Sequence, residues 1–231
     1  TKARGLFIDT CKNKVVARSY SKFFNINERP ETKLNMLQNK LQFPVTAYVK
    51  ENGYLGIVSY DEYNDDLFIA SKSTVDSQFA EWLKEALYRE LTPENREKMK
   101  LYAKDNNVSF VFENVDMKHD PHVISYPVNR LFLLDIVYNQ MDFKKYDYET
   151  MCDTAYQLGI TPKEKAYEIA NWQDFYEWYF DVTEDKYQYN GKDIEGFVIE
   201  DSSGYMVKLK LAYYKFWKFM RSISHEAIKN G

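Results

Sequence analysis

Cysteine is scarce in this chain, and its scarcity excludes two classes of protein. Cys11 and Cys152 stand far apart without zinc-type spacing, and two thiols cannot staple a small secreted scaffold. They fit a reducing compartment, so the expected location is cytoplasmic, or the host cytoplasm for a viral chain. Histidine is rarer than in most metal proteins: of three, only His119 and His122 are close in sequence, which excludes a convincing histidine metal centre. No apolar run approaches the roughly 20 residues of a membrane-crossing helix, and no signal peptide is visible. No membrane association is expected. With 6 Pro and 8 Gly the chain has no Pro/Gly-rich linker, internal repeat or low-complexity segment, and it reads as one domain, 1–231. An excess of positive charge is also lacking: 31 basic against 35 acidic residues leave a net charge of −4. Any polyanion must therefore be held by a local cluster of Lys and Arg rather than by a general field.

Aromatic residues, by contrast, are plentiful at 17%, with 20 Tyr and 15 Phe. Rings fill cores and also stack on bases, so the count alone decides nothing. Strand-like alternation marks Gly5–Asp9, Lys14–Tyr20, Val45–Lys50, Tyr54–Tyr60, Leu67–Ala70, Val108–Val115 and Leu131–Tyr138. Asn52-Gly53 between the third and fourth of these predicts a hairpin, because both residues tolerate positive φ. From about Val75 to Asp105 the period is helical, with Phe79, Trp82, Leu83, Ala86 and Leu87 on one face and Thr92-Pro93 as a cap and first turn. Tyr146 to Asp181 is predicted helical. Ile194–Glu200 and Tyr205–Ala212 flank the turn group Asp201-Ser202-Ser203-Gly204, and Trp217–Ile228 reads as a closing helix. The expected class is α+β, with antiparallel sheets and helical insertions.

Several residues have chemistry in reach. Lys50 stands where a strand enters a tight turn; its amine becomes a nucleophile only when unprotonated, against an ordinary pKa of about 10.4. A surface lysine before a turn has the same appearance. Lys208 and Lys210 share one face of a strand whose other face carries Val207, Leu209 and Leu211. Two such ammonium groups can hold a triphosphate and depress a third lysine, although a solvated strand face reads alike. Glu195 stands at the facing strand. Glu113 lies inside the apolar run Phe110–Val115, where a carboxylate requires a cationic partner, a metal or hydroxyls.

In chain order these form a series: Arg4-Gly5, Lys22-Phe23-Phe24-Asn25, Lys50 with Gly53, Ser71-Lys72, Phe112-Glu113, Glu195-Gly196, and Lys208 with Lys210. The series resembles the covalent nucleotidyltransferases, specifically the ATP-dependent RNA ligases of the phage T4 RNA ligase 1 type, and fungal tRNA ligase adenylyltransferase domains are similar. The openings Arg4-Gly5-Leu6-Phe7 and Ser21–Asn25 are its most distinctive pieces; DNA ligases and capping enzymes share only the lysine, glutamate and final-lysine motifs. The resemblance implies an antiparallel-sheet, ATP-grasp-like ligase domain. It also implies an excised fragment lacking the extreme N-terminus and a C-terminal domain.

The same resemblance implies an activity. Lys50 takes AMP from ATP, passes it to an RNA 5′-phosphate, and a 3′-hydroxyl then displaces it. By the family's motifs, Lys50, Lys208, Lys210 and Glu195 are the catalytic set. Arg4, Lys22, Phe24, Gly53, Lys72, Glu113 and Gly196 bind ATP, and Glu195 is the carboxylate associated with Mg2+. The expected partner is RNA with 5′-phosphate and 3′-hydroxyl ends, tRNA among the candidates, with no obligatory protein partner. The alternatives are another covalent nucleotidyltransferase, of the DNA ligase or capping type, and a non-catalytic RNA-binding module.

Overall fold

The computed structural model describes residues 2–230, with side chains through residue 224. In chain order the elements begin with β1 (Leu6–Asp9), β2 (Lys14–Arg18), α1 (Leu34–Leu37), β3 (Val45–Lys50), β4 (Tyr54–Asp61) and β5 (Asp66–Ser71). Next come α2 (Gln78–Glu90), α3 (Pro93–Asn106), β6 (Val108–Val115), β7 (Arg130–Tyr138), α4 (Tyr148–Leu158) and β8 (Thr161–Pro162). The last are β9 (Lys165–Ile169), α5 (Trp172–Val182), β10 (Gly196–Asp201), β11 (Met206–Lys210) and α6 (Ala212–Asn230). This is the expected α+β class with antiparallel sheets; the one parallel pairing among the described strands joins β7 to β8.

The elements fall into two compact units. The first comprises the chain up to Lys22, Gly53–Pro121 and Tyr126–Lys163; the second comprises Phe23–Asn52, His122–Ser125 and the chain from Glu164 onward. The first holds the β1–β2 pair and a sheet of order β5-β4-β6-β7-β8. Phe110, Phe112, Leu131 and Leu133 of this sheet pack against Leu83 and Leu87 of α2, Met99 of α3 and Met151 and Leu158 of α4, all buried. The helical run is divided: α2 is capped by Ser77, whose side chain accepts from the Ala80 amide, and α3 by Thr92 with Pro93 at the first position. Leu83, Ala86 and Leu87 face the core as their spacing predicts, whereas Phe79 is left exposed.

One buried charge cluster braces this unit. Asp135 of β7 is only 1% exposed and accepts from Lys163 at 2.9 Å, Lys145 at 3.2 Å and the Tyr20 hydroxyl at 2.6 Å. Burial pushes its carboxyl up, but Lys163, Lys145 and Tyr20 together outweigh burial and hold it below the ordinary carboxylate value. A depressed folded value stabilises the fold above the unfolded pKa, about 3.9, and that stabilisation is lost as pH falls through the folded value. Urea midpoints are therefore expected to drop below about pH 4, with a shallower slope in Asp135→Asn; identical slopes in both proteins would remove this cluster as the cause.

The second unit holds a sheet of order β11-β10-β3-β9. Val45, Ala47, Val49, Phe197, Ile199, Val207 and Leu209 form its core face, with Phe175 of α5 packed into the same cluster. Tyr167, Trp178, Tyr187 and Tyr189 place their rings 5.5–6.3 Å from Phe197. Many of the aromatics are thus core.

Two local expectations are corrected. Tyr146–Asp181 is not one helical stretch: α4 ends at Gly159, whose φ of +71° closes the helix, and β9 then pairs with β3 before α5 begins. Nor do β3 and β4 make a hairpin. β3 pairs with β10 and β9, whereas β4 pairs with β5 and β6. Neither Asn52 nor Gly53 has positive φ. Gly53 is required for another reason: a Cβ there would lie 2.1 Å from the Asn114 carbonyl oxygen.

Candidate active site

The second unit builds a row of charges from strand register alone. Gly196 lies opposite Lys50 on one side and Lys210 on the other, and Val198 lies opposite Tyr48 and Lys208. Residues directly opposite in neighbouring strands share a face, so all three lysines project from the side away from the core. The alternation read in β11 is what the fold uses. Gly196 itself admits no side chain: with φ +155°, its Cβ would sit 1.8 Å from the Leu209 carbonyl oxygen. The backbones of β10 and β11 therefore approach closely where Gly196 lies between Lys50 and Lys210.

Glu195 fills the position between the two lysines. Its carboxylate lies 3.0 Å from Lys50 Nζ and 3.3 Å from Lys210 Nζ, and accepts from Asn52 Nδ2 at 2.7 Å. The Glu195 side chain is 4% exposed, while Lys50 and Lys210 are 20% and 22% exposed, so the anion is buried beneath two cations that reach the surface. Lys50 is therefore not a solvated surface lysine. Burial lowers the pKa of Lys210, nearby Lys218 and Lys50 lower it further, and Glu195 opposes them without cancelling the shift. Lys208 lies over the Phe23 ring, 5.2 Å from its centroid. Its amide donates to the Phe24 carbonyl at 2.9 Å, and its carbonyl accepts from Ile26 at 2.8 Å. The backbone of Phe24 thus supports the strand, while its ring stacks under Arg29 at 4.8 Å. Asn25, bridged to Lys208, has a buried Oδ1 with no hydrogen-bond partner among the described residues, an acceptor available to a ligand.

The first unit carries the other sequence-predicted residues. Residues 2–5 pair with 19–22: the Arg4 amide donates to the Tyr20 carbonyl, the Lys22 amide to the Lys2 carbonyl, and the Ser19 hydroxyl to the Arg4 carbonyl. Gly5, at φ +85°, comes so close to the Lys72 carbonyl that a Cβ would lie 3.1 Å from it. Arg4 and Lys22 thus lie on paired backbone, and the Lys72 carbonyl packs beside Gly5. Glu113 is buried in β6 and accepts from the Gly53 amide at 3.0 Å, so part of its compensation is a backbone donor. Next to it, Asn114 donates to the Tyr54 hydroxyl at 2.6 Å.

Asn52 is the residue that sequence reading missed. It looked like a turn former, yet it is 3% exposed, holds Glu195 through Nδ2 and accepts the Ile124 amide at 3.0 Å through Oδ1. Nothing in its neighbours distinguishes that role from a hairpin.

Chemically, the row offers an amine nucleophile beside fixed cations, with a carboxylate that a phosphate group can displace from them. Among the described residues no group of three or more His, Cys, Asp or Glu side chains could hold a metal unaided. The donor set fits Mg2+ that arrives with a triphosphate, since this ion keeps water ligands and takes one or two carboxylates plus phosphate oxygens.

Comparison with known proteins gives a consistent picture. The family described as RNA ligase, of the T4 type 1 kind, matches residues 2–214. The chain is 27% identical over 223 residues to a tRNA ligase of Candida albicans, covering 85% of this chain and 26% of that protein. It is 25% identical over 213 residues to tRNA ligase 1 of Schizosaccharomyces pombe, covering 86% and 27%. The chain thus spans about a quarter of the length of these fungal relatives. Among solved structures, the Naegleria gruberi RNA ligase with PPi superposes with a TM-score of 0.59 at 13% identity, over 91% of this chain and 58% of that one. An archaeal ATP-dependent RNA ligase gives 0.59 at 12% identity, over 89% and 50%. At such identity the two structures speak for the fold.

Proposed function

The chain belongs to the RNA ligase family, and from that premise we propose that it is the adenylyltransferase domain of an ATP-dependent RNA ligase acting through a lysyl-AMP intermediate. The observation that carries this reading is the Lys50–Glu195–Lys210 row, set by the pairing of β3 and β11 on either side of Gly196. The lone pair of Lys50 Nζ attacks the α-phosphorus of ATP; a P–N bond forms, the bond to the bridging oxygen breaks, and pyrophosphate leaves with that electron pair. The ammonium proton is given up to solvent beforehand. An RNA 5′-phosphate oxygen then attacks the phosphorus of AMP and the P–N bond breaks, returning the Lys50 amine. A 3′-hydroxyl oxygen, losing its proton to solvent, finally attacks the activated 5′-phosphate, and AMP leaves as the P–O–P bond breaks.

Lys208 and Lys210 hold non-bridging oxygens through these transfers, where fixed charges need no reorganisation. Asn52 keeps Glu195 oriented once an incoming phosphate takes over the lysines. Glu195 would hold Mg2+, which, when bound with the nucleotide, neutralises charge on the phosphate oxygens. Arg4, Lys22 and Lys72 are assigned to the triphosphate, Glu113 to the ribose, and Phe24, Gly53 and Gly196 to shaping the nucleotide's surroundings, as the family motifs imply. RNA with 5′-phosphate and 3′-hydroxyl ends is the proposed substrate, and the tRNA ligases among the relatives make broken tRNA the first to try. The chain 1–231 is read as one such domain of a cytoplasmic protein.

The test is incubation with α-labelled ATP and Mg2+ followed by denaturing electrophoresis, then a chase with 5′-phosphorylated RNA. Labelled protein, then labelled RNA, then joined RNA is the expected sequence. RNA binding without any protein adduct, or an adduct from GTP alone, would reject this reading.

A further inference from the structure

The second unit contains a pocket that the chemistry above leaves unused. Its volume is about 470 Å3, and its lining includes Asn27, Lys33, Asn35, Gln38, Trp172 and Tyr176. Both walls are fixed. Asn27, at φ +66°, accepts the Leu34 amide through Oδ1 at 3.0 Å, which sets the start of α1, and donates from Nδ2 to the Tyr179 hydroxyl of α5 at 3.4 Å. On the α5 side, Trp172 stacks on buried Phe175 at 5.4 Å and lies 6.1 Å from Tyr176, which is 42% exposed. On the α1 side, Lys33, Asn35 and Gln38 are exposed, and their side chains make no hydrogen bond or ion pair with any described residue.

We propose that this pocket receives one unpaired nucleotide of the RNA strand to be joined, an inference that rests on the RNA ligase reading. A nucleobase has a flat face that stacks on aromatic rings and an edge of donors and acceptors that amides can match. Trp172 and Tyr176 offer the rings, Asn35 and Gln38 the uncommitted amides, and Lys33 a cation for the adjoining phosphate. An apolar peptide segment fits poorly, because seating it would strip water from three polar side chains without replacing their hydrogen bonds. Position supports the same occupant. The backbone running from Phe24 to Asn27 at the pocket's rim is hydrogen-bonded along Lys208, so the base site and the phosphate-binding strand belong to one connected framework.

The experiment compares wild type, Tyr176→Ala and the double variant Asn35→Ala/Gln38→Ala in the full chain. Binding of a 5′-phosphorylated single-stranded RNA is measured by fluorescence anisotropy, and AMP uptake from α-labelled ATP is measured in parallel. The dissociation constant is expected to rise at least about fivefold in both variants, the lower end of the effect of one lost base stack for Tyr176→Ala and of two lost hydrogen bonds for the double variant, with AMP uptake unchanged. RNA carrying 4-thiouridine should crosslink to the peptide that holds Trp172 and Tyr176. An unchanged dissociation constant in both variants overturns the pocket assignment, and so does a crosslink confined to other peptides. Failure of the wild type to take up AMP would reject the ligase reading separately, and the binding comparison would still decide the pocket.

Discussion

Lys50→Ala is expected to accept no AMP from α-labelled ATP and Mg2+, a loss on the order of 10^4-fold or more, the scale seen when a covalent nucleophile is removed. The fold should survive the change. Glu195 keeps Lys210 at 3.3 Å and Asn52 at 2.7 Å, so its buried carboxylate is not left uncompensated. Lys50→Arg makes the sharper control. Arginine retains the cation beside Glu195 but does not deprotonate in proteins, and its fork carries no available lone pair. Both variants should be equally inert toward ATP while melting near the wild-type temperature. Label on either protein would show that the nucleophile is another residue.

Gly196→Ala should damage stability and chemistry together. The added methyl would lie 1.8 Å from the Leu209 carbonyl oxygen, inside the β10–β11 ladder and between rigid backbones. Neither partner is a flexible side-chain end that could move aside. Overpacking of this kind costs about 3 kcal/mol, which lowers the melting temperature by about 6 to 12 °C for a chain of this size. AMP uptake should fall as well, because the same ladder sets the separation of Lys50 and Lys210. Gly204→Ala is the comparison. Gly204 also has positive φ, +85°, but its Cβ position is open, so only the backbone preference is lost, about 1 kcal/mol. Equal melting shifts in the two variants would rule out the close approach at Gly196 as the cause.

Much of the architecture was legible because it rests on local periodicity. Val45–Lys50 and Val108–Val115 are strands with those bounds, and the split of β11 into a lysine face and an apolar face follows from a period of two. Thr92-Pro93 begins a helix because its cap chemistry is local. The failures lie where a distant segment decides. Asn52-Gly53 has hairpin composition, but both edges of β3 are taken by β10 and β9 and both edges of β4 by β5 and β6. Lys165–Ile169 is short and amphipathic enough to pass for helix until β3 offers it an edge. The motif series named the lysines and Glu195, whereas the role of Asn52 depends on Ile124 and Glu195, which no local pattern joins to it.

The chain enters the second unit at Phe23, leaves it after Asn52, returns briefly at His122–Ser125 and re-enters for good at Glu164. During synthesis Lys50 therefore emerges long before the strand that flanks it, and its pairing with Gly196 must wait for a large loop to close. A nascent or prematurely terminated polypeptide carries Lys50 without Glu195 or Lys210 beside it. On the mechanism proposed above, such a product takes up no AMP, and competence is expected only once translation has passed β11.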